Sequence, residues 1–207
     1  MKTLTIKTPK HELLIDYYYG IVEKSEVAVD KVLFIQMCKD GCSNYGNKYS
    51  CPPYSPHFED YLKNYSRLFI VAFTLELSQF NQTNYKEYLK IRIANSILKS
   101  RIEKLMRILE QNFDTKYLGT GACKLCRSCQ LKIEKPCKYP SKRRYSLESL
   151  GVDCDDLMKQ VFQKKLKWYR DEKAPEYTSV ICALPIKNNQ HQDTLESSFI
   201  AAIRKIF

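Results

Sequence analysis

The distribution of apolar residues along the 207-residue chain predicts an α+β fold, a small mixed or antiparallel sheet packed by helices, with cysteine-rich loops between them. Two strands and one helix carry that reading. Leu68-Phe69-Ile70-Val71-Ala72-Phe73-Thr74-Leu75 is an uncharged run closed by Arg67 and Glu76, far short of the ~20 residues that cross a bilayer, and it reads as a buried strand. Thr178 to Leu184 reads as a second. Ile91, Ala94, Leu98, Ile102, Leu105 and Leu109 recur at three- and four-residue steps, with Lys90, Arg92, Lys99 and Lys104 largely off that stripe. A helix from about Tyr85 to Asn112 therefore lays one apolar face on a sheet.

The other elements follow in chain order. Thr8-Pro9 predicts a cap for a short helix through Tyr19, and Val27 to Met37 is apolar enough for a strand or a short buried helix. A loop with turn chemistry runs from Lys39 to Asn47 and on to Ser50-Cys51-Pro52-Pro53. Ser55-Pro56 then predicts a short helix to about Asn64. After the long helix, Tyr117 to Gly121 turns into a second cysteine segment that ends at Cys137, and Ser146 to Gly151 is a single capped turn. Asp155 to Arg170 is a helix whose apolar side is Leu157, Met158, Val161, Phe162 and Tyr169. Thr194 caps a final helix carrying Phe199, Ile200, Ile203 and Ile206. The chain reads as a single domain over 1–207, with cysteine-rich segments at 38–53 and 119–154.

Composition excludes several classes. Apolar content of 44%, charged content of 28%, six glycines and eight prolines set aside a disordered or low-complexity chain. Thr and Lys interrupt the apolar residues of the first nine positions, so no secretory signal forms, and the protein is expected in the cytoplasm. Thiols stay reduced there, and a chain this long needs no covalent staples. Nine cysteines, an odd number, then point to metal ligands or redox groups. His11, His57 and His191 are scattered, which argues against a histidine-rich metal site.

Cys123-x-x-Cys126-x-x-Cys129, followed by Cys137, is the most specific signal. Two-residue gaps let a short loop wrap so that successive sulfurs converge, as in ferredoxin-type loops whose fourth thiolate comes from further along the chain. The fourth thiol here follows a seven-residue gap, Gln130 to Pro136, longer than in bacterial ferredoxins but able to return to the same point. Four thiolates also make a tetrahedral zinc site. Zinc ribbons space two Cys-x-x-Cys pairs more widely, so a [4Fe-4S] cluster is the favoured cofactor and zinc the alternative. From Cys123 to Arg144 stand eight basic residues and one acid, Glu134, a balance that eases burial of an anionic cluster and is equally available to solvent or nucleic acid.

Cys38-x-x-x-Cys42-x8-Cys51-Pro52-Pro53 supplies three thiols, one short of a closed site. Cys154, Cys182, a histidine or a non-protein ligand would complete it; a closed site carries electrons or braces the fold, and an open iron acts as a Lewis acid. Cys182, inside an apolar strand, reads as a small buried hydrophobe, and Cys154 stays open between the two roles.

Three stretches together resemble a known family. They are Cys38-x-x-x-Cys42-x-x-Tyr45-Gly46-x-x-Tyr49-Ser50-Cys51-Pro52-Pro53, then Gly121-Ala122-Cys123-x-x-Cys126-x-x-Cys129, then Cys137-x-x-Pro140-x-x-x-Arg144-x-Ser146-x-Glu148-x-x-Gly151. Their order and spacing, over about half the chain, resemble the prokaryotic "predicted metal-binding protein" domains of unknown function. Members often have Trp where Tyr49 stands and Pro where Ala122 stands, changes that remove no ligand. The resemblance implies metal binding, with iron–sulfur clusters the usual expectation, and no settled reaction. Arg144, Ser146 and Glu148 match its pattern as residues that bind a substrate or support the cluster, or, for Ser146 and Glu148, as turn caps.

The resulting expectation is an iron–sulfur protein with one or two [4Fe-4S] clusters held by Cys38, Cys42, Cys51, Cys123, Cys126, Cys129 and Cys137. It would work in electron transfer with a redox partner protein, or as an iron–sulfur-dependent oxidoreductase or lyase on an unspecified small molecule. The competing expectation is a structural zinc protein whose +11 charge contacts nucleic acid, with some of its fifteen Tyr and nine Phe stacked on bases. Most of those aromatics occupy periodic apolar positions, which favours core packing. The long helix has no basic face set apart from its stripe, so a membrane surface is not expected as a partner.

Overall fold

The computed structural model describes residues 2–188 and 190–207. Strands β1 (Lys2–Lys7), β2 (Glu12–Glu23), β3 (Arg67–Glu76) and β4 (Tyr177–Ile186) form one four-stranded antiparallel sheet in the order β1-β2-β3-β4. Helices α1 (Lys31–Gly41), α2 (Phe58–Tyr61), α3 (Glu87–Asn112), α4 (Cys154–Phe162) and α5 (Gln192–Ile206) complete the fold, which is α+β. Among the described residues no helix is long and apolar enough to cross a membrane.

Strand β3 pairs with β2 on one side and β4 on the other and has both faces covered, which is why its sequence runs apolar without alternation. On one face Phe69, Val71 and Phe73 pack with Leu98, Leu105 and Met106 of α3 and Phe199 of α5. On the other, Leu68, Ile70 and Ala72 pack with Leu118, Leu147, Leu157 and Met158. The α3 stripe is buried as its periodicity predicts, with Ala94, Leu98, Ile102, Leu105 and Leu109 fully covered.

Four expectations need correction. The helix predicted up to Tyr19 is strand β2. Leu13, Ile15 and Tyr17 alternate into one core and Tyr18 and Val22 into the other, a period of two that outweighs the Thr-Pro cap signal. Thr8 instead closes the β1–β2 hairpin, its N–H donating to His11 O at 2.8 Å. The 27–37 segment yields a helix, α1, capped by Asp30, but it buries none of its side chains. The helix expected from Ser55 is the single turn α2: the Ser55 hydroxyl accepts from Lys31 Nζ at 2.8 Å and donates to Ser149 O at 2.5 Å, so it is not free to cap. Helix α4 stops at Phe162, eight residues early, because Gln163 turns left-handed (φ 55°) and Asp155 Oδ1 draws Leu166 N back to 2.7 Å.

Candidate metal centre

The second cysteine segment begins beside α3, sharing a pocket with its Glu103 and Arg107, and the first starts on α1 and continues in the loop after it. In the second segment Cys129 leads into a 3-10 turn at Gln130–Ile133. Glu134 then adopts the left-handed region (φ 54°), and Lys135 N donates to Gln130 O at 3.1 Å. That closure folds the seven-residue gap back on itself. As a result Cys123, Cys126, Cys129 and Cys137 all line one pocket, together with Ser50, Tyr139 and Arg143.

Arg143 gives the pocket an unspent donor. One terminal nitrogen donates to Tyr145 Oη at 2.7 Å and the guanidinium lies over the Tyr145 and Tyr49 rings, but its buried Nε has no partner among the described residues. Buried donors are almost always paired, so this one marks a place for an acceptor.

The first segment abuts the second. Cys123 N donates to Ser50 Oγ at 2.9 Å and Tyr49 Oη to Lys135 O at 3.0 Å, so the residue preceding Cys51 is bonded to the first residue of the other motif. Cys38 sits on α1 and Cys42 at its C-cap, with Cys42 N bonded to Cys38 O at 3.0 Å. Burial raises the Cys38 thiol above its ordinary value; the nearby Cys42 and Glu148 add to this, against Lys31. Burial likewise raises Cys51, opposed by the Ser50 hydroxyl and reinforced by Cys42 and Cys38. The three thiols of this motif thus lie within electrostatic reach of one another, so each thiolate formed raises the next, and a bound cation would offset that repulsion.

Neither segment is shaped around an ion. Among the described residues no three His, Cys, Asp or Glu side chains are gathered so as to hold a single metal ion. The space between the four thiols of the second segment is about 20 Å³, enough for one water. The donor set is nevertheless of the chemical kind a thiolate-ligated cluster takes: four half-exposed thiols and one orphaned cationic donor, on a segment without long helices or sheet pairing. A family model described as "Predicted metal-binding protein (DUF2284)" matches residues 20–183, taking in both motifs. The chain belongs to this family. No curated protein and no solved structure matches it.

Within this predicted metal-binding chain, the other sequence candidates go to different places. Cys182 is fully buried between the sheet and α3, the apolar role its strand context predicts. Cys154 begins α4 and is 4% exposed in the opposite core, its thiol pushed well up by burial and by the charges of Glu148 and Asp153. Arg144 is spent on structure: its Nε and a terminal nitrogen clasp Glu110 of α3 at 2.6 and 3.0 Å. Ser146 caps its turn, accepting from Ser149 N at 3.2 Å, whereas Glu148 makes no cap and faces a separate cavity. His11 packs edge-on against Phe80 and Tyr85, and His57 and His191 occupy helix N-caps.

Sequence reasoning missed Lys31, Ser50 and Arg143. Lys31 is a half-buried clamp that donates to Ser55 Oγ, Pro56 O and Ser149 O and ties α1 to both loops. Its seven-residue spacing to Cys38 puts both on one helix face, a signal available once α1 is known to be helical. Ser50 stands inside the first motif and Arg143 in the basic stretch by the second, but their individual roles rest on contacts across the chain, Ser50 with Cys123 and Arg143 with Tyr49, that spacing does not show.

Proposed function

We propose that the protein is an iron–sulfur protein in which Cys123, Cys126, Cys129 and Cys137 hold a [4Fe-4S] cluster and Cys38, Cys42 and Cys51 hold a second, three-thiol centre. The observation that carries this reading is the convergence of four thiols on one pocket beside the unpartnered Arg143 Nε. The spacing favours a cluster over zinc: three cysteines at two-residue gaps with a fourth further along is the ferredoxin-type pattern, whereas zinc ribbons set two Cys-x-x-Cys pairs more widely apart.

Such a cluster supplies one-electron transfer when bound. The chain's own residues do the rest. Arg143 offers a cation and an N–H to the sulfur side, which favours the reduced form. Ser50 ties the two thiol-bearing segments together through its bond to Cys123 N, and would keep them adjacent if both held clusters. With Cys154 and Cys182 both in apolar cores, Cys38, Cys42 and Cys51 would hold the second centre without a fourth cysteine, and a metal so held would supply the open-site chemistry of a redox or Lewis-acid enzyme more than that of a simple carrier.

The test separates the two centres. After anaerobic reconstitution with iron and sulfide, Cys126→Ala and Cys42→Ala are each expected to lose about half of the broad visible absorbance, and the double variant nearly all of it. If both single variants keep the full absorbance, the thiols are not cluster ligands.

A further inference from the structure

The free edge of β4 opens onto a cavity of about 310 Å³ on the far side of Glu148, within the range of small-molecule sites. Its shape follows from strand register. Leu118 pairs antiparallel with Ala183, N–H to O in both directions at 2.7 and 3.0 Å, as the start of a fifth strand. Continued by two residues, that pairing would set Thr120 against Ile181. The chain instead diverges through Gly119-Thr120-Gly121, with Gly121 at φ 72°. Because backbone groups alternate along a strand, Ser179 and Ile181 point their N–H and C=O the same way as Ala183, into the opened gap. Among the described residues no backbone or side-chain group pairs with them there. Two side-chain hydroxyls on the gap's walls, Thr120 Oγ1 and Ser179 Oγ, are also sealed from solvent and without partners.

Lys99 on α3 and Glu148 in the turn approach the β4 edge from opposite faces of the sheet, both half-buried, and among the described residues neither has an ion-pair partner; the third charged residue of the lining, Lys167, is paired with Glu176 at 3.4 Å. Leu166 and the exposed Trp168 line the same cavity and offer apolar surface. We propose that this cavity binds a small α-amino-acid zwitterion, its main-chain atoms laid along the Ser179–Ile181 edge, its carboxylate toward Lys99, its ammonium toward Glu148 and its side chain against Leu166 and Trp168. Unpaired strand-edge groups recognise a peptide-like backbone, and two separated, opposite, unneutralised charges recognise a molecule carrying both. None of the nine cysteines lines the cavity, but Glu148 lies near Cys38 and Cys154, so binding is measured on metal-stripped and on reconstituted protein alike.

Isothermal titration of the full chain with the standard amino acids, and with the amide and N-acetyl forms of the tightest binder, tests the assignment. A free amino acid binds saturably, and each capped form binds about tenfold more weakly, the scale of one charge-assisted hydrogen bond. Lys99→Met lowers affinity for the free amino acid about tenfold and leaves that for its amide unchanged; Glu148→Gln does the same for the N-acetyl form. Lys99 projects from a helix surface, so that variant keeps the test open if Glu148→Gln fails to fold. The assignment is overturned if no standard amino acid binds at millimolar concentration, or if Lys99→Met weakens free and amidated ligands equally.

Discussion

The two faces of the sheet are built on different principles. One is covered by α3 and α5 and filled with Phe69, Phe73, Leu98 and Phe199, all essentially inaccessible. The other has an apolar floor covered by α4 and by turns, with α1, which carries Lys31 and Cys38, joined to the turn at Gly151 and the remaining thiols and Arg143 in the loops beyond. The first face is covered by two regular helices; the second, with an equally buried floor, is covered by short helices and turns beside which the thiols and unspent donors stand.

The largest break in that division would come from the helix-covered face. Phe199→Ala removes a ring packed against Tyr17, Tyr19 and Phe69, and a loss of about 4 kcal/mol in urea unfolding is expected. Glu110→Ala comes next, because it strands the largely buried Arg144 that joins α3 to the loop face; about 3 kcal/mol is expected, and Arg144→Ala should cost a similar amount. If either is silent, the loops are not tied to the scaffold as described.

Alkaline pH probes both faces at once. Burial raises the Tyr61 hydroxyl to about 12 and the Tyr117 hydroxyl further. Unfolded phenols ionise near ~10, so above that pH the unfolded chain releases protons that the folded chain retains, and stability falls as pH rises. Tyr61 alone contributes a decline on the order of 2 kcal/mol between about pH 10 and 12. The buried thiols of Cys154 and Cys182, pushed up by desolvation first, start the decline earlier, from the ordinary thiol range upward. Unfolding midpoints at pH 8 and 11 check the sign. The smallest effect belongs to the loop face: Cys126→Ala in metal-stripped protein should shift stability by no more than about 0.5 kcal/mol, since the thiol is half-exposed and unpaired. A large loss there would make the thiols structural.

Legibility followed the same division. The β3 and β4 runs and the α3 stripe were readable because their burial is written in local periodicity. Strand β1 was not, since as an edge strand it buries only Ile6 fully and its Leu4 partly, between Thr and Lys. At the centre, spacing alone marked the four thiols that line one pocket. It could not find Ser50, whose role is a bond to Cys123 across 73 residues, nor the partner that engages Arg144, Glu110, 34 residues away. It also could not decide Cys154, whose environment is set by packing of α4 against the sheet.

The central claim is the identity of what the seven motif cysteines hold, and metal and acid-labile sulfide analysis of anaerobically purified protein tests it most directly. Iron and sulfide in equal amounts, with both lost from Cys126→Ala and Cys42→Ala in separate portions, is the predicted result. Stoichiometric zinc with no sulfide would contradict it.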